Sequence, residues 1–239
     1  ITVYLPPDYV RHPRARYPVL YVHDGQNLFD GATAFVPGQE WQLDETAERL
    51  IRARAIEPII IVGIDHAGRH RLDELGPTRD ARHRAGGLAS LYGRMIVEEL
   101  KPLVDRTYRT RPGRRDTGLG GSSMGGLATL FLGLEFPEVF GRLAVLSPSV
   151  WWDRRAILRR VEALPRRLPL RIWLDIGTRE GQAALADARA LRDALVARGW
   201  REGRDLAYVE AKGAGHSEAA WAARVEPMLR FLFPARPGR

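Results

Sequence analysis

Seven short apolar runs, most of them separated by a longer amphipathic stretch, constrain the fold of this chain more than any other feature. They fall at residues 3–5, 19–22, 59–64, 117–121, 143–146, 171–176 and 206–210. Runs such as "VLYV" and "IIIVGI" carry almost no polar alternation, the pattern of strands covered on both faces. Helical patterns lie between them at 43–55, 88–104, 124–136, 182–198 and 217–233. In the second of these Leu88, Leu91, Tyr92, Met95, Ile96, Leu100 and Val104 recur near a 3.6-residue period. The expected fold class is therefore α/β, a mostly parallel central sheet with helices on both faces.

Length and composition narrow the function classes. A chain of 239 residues can bury roughly 70 to 75 per cent of its unfolded surface around one core, so a single domain over residues 1–239 is expected. No window approaches the roughly 18 uninterrupted apolar residues of a membrane span. The net charge of +8 is spread along the chain and comes almost wholly from arginine, with lysine only at Lys101 and Lys212. That distribution is a solvated basic surface and not a nucleic-acid site. The absence of cysteine excludes disulfides, zinc-thiolate centres and thiol nucleophiles. The chain opens inside a strand-like run, "ITVYL", which points to a leader or a further N-terminal strand ahead of it. Cytoplasmic and secreted or periplasmic locations are both compatible with that start, and the oligomeric state is left open.

In an open α/β sheet, ligands bind beyond the carboxyl ends of the strands. The segments to watch are therefore 23–39, 66–87, 122–126, 147–153, 177–181 and 212–216. The third, with the glycine just before it, spells Gly121-Ser122-Ser123-Met124-Gly125, a G-x-S-x-G pattern with a strand before it and a helix after it. The two glycines remove side chains that would collide in so sharp a turn, and the turn lifts Ser123 clear of the sheet. A phosphate cradle is disfavoured, because no Lys follows the glycines.

A serine hydroxyl needs a base to become a nucleophile. Among six histidines only His216 follows Ser123 in the chain, in the loop "AKGAGHSEAAW" between the last strand and the last helix. A carboxylate should in turn hold the imidazole. Glu180, on the loop beyond Gly177, is preferred over Asp175, which alternates as a strand residue, and over Asp187 in the following helix. For the oxyanion of a tetrahedral intermediate the N–H groups of Met124 and Gln26 are the candidates, with Gly25 letting the chain turn closely. Trp41, Trp152 and Asp24 are the candidate substrate-binding residues, Trp151 being a further aromatic on the same loop. Arg69, Arg71, Arg79 and Arg82 in the long loop 66–87 are candidates for an anionic substrate. No metal or cofactor is expected.

Taken together, the segments "VYLPPDY", "HDGQNLFD", "VGIDHAGRHRLDELGP", "GGSSMGGL", "FPEVFGRLAVLSPSVWW", "DIGTREG" and "GAGHSEAAW" resemble the esterase family of the α/β-hydrolase superfamily. That family includes enterochelin and feruloyl esterases, esterase D and the mycolyltransferases. The resemblance implies an α/β-hydrolase fold, with Ser123 as nucleophile, His216 as base, the Glu180 position as acid, and Gln26 and Met124 as main-chain donors. The cysteine-containing segments of S-formylglutathione hydrolase have no counterpart. The implied activity is hydrolysis of an aryl, sugar-linked or siderophore ester, a small molecule. The alternatives are acyl transfer to a sugar or alcohol and a non-catalytic binding protein.

Overall fold

The computed structural model describes residues 1–235; residues 236–239, the end of the expected 1–239 domain, lie outside the described residues. Seven strands form one sheet: β1 (Thr2–Tyr4), β2 (Val19–His23), β3 (Ile60–Ile64), β4 (Thr117–Ser122), β5 (Arg142–Leu146), β6 (Arg171–Gly177) and β7 (Leu206–Ala211). Their spatial order is β1-β3-β2-β4-β5-β6-β7. All neighbours pair in parallel except β1, which runs antiparallel to β3 with Val3 opposite Val62. Every residue of β2, β3 and β4 is buried, as the unalternated apolar runs require.

Two core layers hold the sheet. One face is closed by α1 (Leu43–Arg52) and α8 (Glu218–Leu232), which contribute Leu43, Leu50, Val225 and Leu229. The other is closed chiefly by α3 (Ala89–Arg94), α5 (Met124–Glu135), α6 (Trp152–Glu162) and α7 (Gln182–Ala197), reached from α2 (Arg71–Leu75) through Leu75. In α1 the buried residues Leu43, Ala47, Leu50 and Ile51 make one stripe, with Asp44 and Glu45 in the first turn and Arg49 and Arg52 in the last, the charge order that the helix dipole favours. Helix α5 is apolar all round and almost wholly buried, which suits a helix that starts at the sheet and stays inside. Among the described residues, no helix is long and apolar enough to cross a membrane.

Two departures from the sequence expectation have local causes. The expected helix over 88–104 is α3, a π-helical stretch at Met95–Leu100 and α4 (Lys101–Thr107). Pro102 has no N–H to give the Glu98 carbonyl, so the hydrogen-bond register slips across the widened turn before it. Helix α6 gave no readable period, because only Trp152, Ile157 and Val161 of its eleven residues are buried. Asp153, Arg154 and Arg155 at its start are also left-handed.

Beneath the strand ends, His23 is buried with Nδ1 2.8 Å from the Tyr92 hydroxyl, and its Nε2 has no partner among the described residues. Burial lowers this imidazole from 6.5 to about 4, because the charged form would lie in an apolar layer. A folded-state value below the unfolded one means that the stability contributed by neutral His23 is full above pH 6.5 and is lost as pH falls through 4. Relative to wild type, His23→Asn should flatten the loss of stability between those pH values by up to about 3 kcal/mol, read from denaturant melts at pH 7 and pH 4.5.

Candidate active site

Strand β2 sits between β3 and β4, so the chain leaves it in one direction and returns on the other side; the crevice at such a reversal is where α/β sheets bind ligands. Two loops meet there, one after β2 and one after β4. At the end of β4, Ser123 has φ 56° and ψ −119°, a left-handed backbone that costs about 1–3 kcal/mol in a residue with a side chain. The turn is clamped on both sides. The Ser123 N–H donates to the Leu146 carbonyl at 3.0 Å, and the Ser123 carbonyl accepts from Leu127 and Ser149 N–H groups, each at 3.0 Å. A side chain at Gly121 would put its Cβ 2.9 Å from the backbone of Gly125, and one at Gly126 would meet the Leu146 carbonyl at 2.7 Å. The small residues are required by contact, and the turn raises the Ser123 hydroxyl into a cleft.

His216 stands on the loop after β7 with 45% of its side chain exposed, its ring edge-to-face with Trp221 at 4.9 Å. Its Nδ1 is 2.6 Å from Oε2 of Glu180, whose side chain is only 2% exposed. Oε1 of the same carboxylate accepts from the Ser147 hydroxyl at 2.6 Å and the Gly177 N–H at 2.8 Å. Burial alone would push the Glu180 carboxyl up, but the hydrogen bonds from His216, Ser147 and Gly177 hold it below the usual carboxylate range. An ionised carboxylate can only accept, so Nδ1 carries the imidazole proton and Nε2 is left with its lone pair. The other two candidate acids lie elsewhere. Asp175 is buried within β6 and pairs with Arg224 at 3.0 Å, while Asp187 on α7 pairs with Arg155 at 2.6 Å.

Ser123 and His216 line the same cleft, of about 370 Å³. The Ser123 hydroxyl makes no hydrogen bond to the imidazole; its side-chain partner is the Ser149 hydroxyl at 3.4 Å. Uncomplexed enzymes often show such loose contacts between nucleophile and base, which tighten when substrate binds.

The loop after β2 opens with Asp24 in a left-handed conformation and a single 3-10 turn, Gly25–Asn27. Asn27 N–H makes the first bond of that turn, to the Asp24 carbonyl, so the Gln26 N–H just before it has no acceptor within the turn. The Met124 N–H is likewise one of the first-turn donors of α5 that the helix cannot satisfy. Asp24 lines the cleft, but both its oxygens are taken by Arg71, at 2.6 and 2.8 Å.

Two aromatic expectations are corrected. Trp152 is 1% exposed, its indole N–H donates to the Thr78 carbonyl, and it stacks on His83 above Gly76 and Gly86, away from the cleft. Trp41 is 3% exposed and packs behind Trp221, 5.9 Å between ring centroids. Both tryptophans follow strands or enter helices, positions that a sequence pattern shares between rim and core, and their large apolar area draws them inward. Trp151 is exposed but beside His83, outside the cleft lining. The aromatic surface of the cleft comes from Trp221 and Phe35 instead, with His66, Arg69, Arg71, Leu72 and Glu218 around it. Arg79 and Arg82 do not line it. Sequence reasoning missed Phe35, which sits in a loop without periodicity. It also missed Trp221, which "GHSEAAW" places in the opening turns of α8, within reach of His216.

A mostly parallel sheet of this order, with a serine on a strand-to-helix turn and a histidine after the last strand, is a fold of the α/β-hydrolase type. Residues 1–232 match the family described as "Putative esterase", and the chain belongs to that family of carboxylic ester hydrolases. It is 29% identical over 251 residues to the ferri-bacillibactin esterase BesA of Bacillus subtilis, covering 94% of this chain and 82% of that protein. It is 26% identical to an endo-1,4-beta-xylanase/feruloyl esterase of Xylanibacter ruminicola, covering 97% of this chain but 29% of that longer one. The fold matches the crystal structure of BES protein from Bacillus cereus with a TM-score of 0.76 at 22% identity, over 97% of this chain and 87% of the other.

Gly25 has no room for a side chain: a Cβ there would lie 2.6 Å from the backbone of Gly63 and Ile64. Gly25→Val is expected to displace the Gln26 N–H and lower kcat by about 10² to 10³, measured with p-nitrophenyl acetate on protein whose folding is checked by circular dichroism.

Proposed function

We propose that the chain cleaves esters through an acyl-enzyme at Ser123, with His216 as general base and Glu180 as the acid that holds it. The observation that carries this reading is the 2.6 Å contact of Glu180 Oε2 with His216 Nδ1, made between two separate loops at the cleft that holds the Ser123 hydroxyl. In the reaction, Ser123 Oγ turns from Ser149 toward His216, gives its proton to Nε2 and attacks the ester carbonyl carbon. The N–H groups of Met124 and Gln26 receive the oxyanion. Collapse of the intermediate breaks the ester C–O bond, and His216 returns the proton to the departing alkoxide. Water then repeats the sequence on the acyl-enzyme and frees the carboxylic acid. The unit that does this is the single domain 1–239, a reading supported by the one sheet and by a family match that runs to residue 232.

The lining favours an aryl ester. Phe35 is 75% exposed at the mouth, edge-to-face with His66 at 6.4 Å, and Trp221 and Leu72 offer further apolar surface. Charge selects little, because the lining holds Asp24 and Glu218 against Arg69 and Arg71, two of each sign, and Arg71 is paired with Asp24. An aryl group is also what the names of feruloyl esterase relatives imply for their own substrates.

Ser123→Ala should abolish p-nitrophenyl acetate hydrolysis and fluorophosphonate labelling; activity within tenfold of wild type overturns the assignment. Glu180→Gln should lower kcat by up to about 10⁴, whereas Asp187→Asn should leave it within about twofold. For a feruloyl ester, Phe35→Ala should raise KM several-fold with kcat little changed, a split that a shift in the catalytic groups would not give.

A further inference from the structure

The side of Glu180 that faces away from His216 is built by a buried cluster. Ser147 follows β5 in a left-handed conformation, φ 41°, and is buried. Its hydroxyl has three partners: Glu180 Oε1 at 2.6 Å, Trp221 Nε1 at 3.0 Å and Arg224 Nη2 at 3.1 Å. Arg224, also buried, uses its other terminal nitrogen to pair with Asp175 Oδ1 at 3.0 Å. Asp175 accepts in addition from the Trp173 indole at 2.7 Å and from the Ser147 N–H at 3.2 Å.

A hydroxyl has one proton and two lone pairs, while an indole N–H and a guanidinium can only donate. Trp221 and Arg224 therefore occupy both lone pairs of Ser147, and the one proton left has a single destination, Glu180 Oε1. The Gly177 N–H donates to the same oxygen. Every hydrogen bond on that face is a donation to the carboxylate, so a protonated Glu180 would find no acceptor there.

We infer that Ser147, oriented by Arg224 and Trp221, is a positioning residue that keeps Glu180 an anion aimed at His216 and thereby keeps the imidazole proton on Nδ1. This rests on the triad reading of Ser123, His216 and Glu180. The titratable and charged groups that face Glu180 are His216 from the loop after β7, Arg224 from α8 at 3.8 Å and Asp175 from β6. Burial pushes the Asp175 carboxyl up to about 6, opposed chiefly by Arg224. If Arg224 served only to match Asp175, its second nitrogen would have no need of Ser147.

The two roles separate by experiment. Steady-state rates with p-nitrophenyl acetate from pH 5 to 9 are compared for wild type, Ser147→Ala, Arg224→Lys and Glu180→Gln, with thermal melts as the folding control. Ser147→Ala removes a charge-assisted hydrogen bond and should lower kcat about 10- to 100-fold with KM within about threefold. With the hydroxyl dipole gone, Glu180 becomes more basic and His216 harder to deprotonate, so the acid limb of kcat/KM should move up by about half a pH unit or more. Arg224→Lys keeps the charge beside Asp175 but has one nitrogen for two acceptors; it should shift kcat and the limb in the same direction, and it decides the matter if Ser147→Ala does not fold. Wild-type kcat and an unmoved limb in the folded variants, with Glu180→Gln inactive, overturn the positioning role alone. Wild-type activity in Glu180→Gln overturns the triad reading as well.

Discussion

The backbone at Ser123 is the constraint on which the rim depends. A left-handed serine between a buried strand and a buried helix does not persist on its own conformational preference. It persists because three backbone hydrogen bonds grip its amide and carbonyl, and because Gly121, Gly125 and Gly126 let β4, α5 and the loop after β5 close on it without side chains between them. Two of the three bonds are made with Leu146 at the end of β5 and with Ser149, so the position of the serine hydroxyl is tied to the same loop, 147–149, that reaches Glu180 through Ser147. Placement of the serine and orientation of the acid thus share one short segment.

The strand order does the rest. With β2 between β3 and β4, the loops that carry Asp24 to Asn27, His66 to Arg71, Ser123 and His216 all open at one end of the sheet, though the chain visits them at widely separated points. Parallel strands send their carboxyl ends the same way, so one geometric rule brings six loops to one rim.

Much of this was legible in the sequence, for definite reasons. All seven strands fall where the apolar runs lie, and the inner ones are the plainest, because a strand covered on both faces leaves a signal that few other segments imitate. The Glu180–His216 contact was legible because alternation put Asp175 inside a strand and left Glu180 as the carboxylate free to swing from a loop. Trp41 and Trp152 were misplaced because residue type records apolar area and not the direction a side chain takes at a loop. Ser147 and Arg224 went unread altogether. Ser147 lies in a segment marked only as a loop beyond a strand, and an arginine in an arginine-rich chain carries no mark, so only their meeting, 77 residues apart, makes them part of one cluster.

The cleft sets itself apart from the surface around it. The chain as a whole carries +8, yet the lining of the cleft holds Asp24 and Glu218 against Arg69 and Arg71, two of each sign. Asp24 and Arg71 are already joined, so on the proposed reading an incoming ester meets a mouth whose own charges balance, and ring contact and shape are what is left to hold it. Added salt screens attraction between unlike charges over a Debye length of about 10 Å at 0.1 M, and an uncharged ester offers it none to screen. On the proposed reading, capture of an uncharged ester by this cleft is in consequence nearly indifferent to ionic strength, although the molecule that carries it is strongly basic.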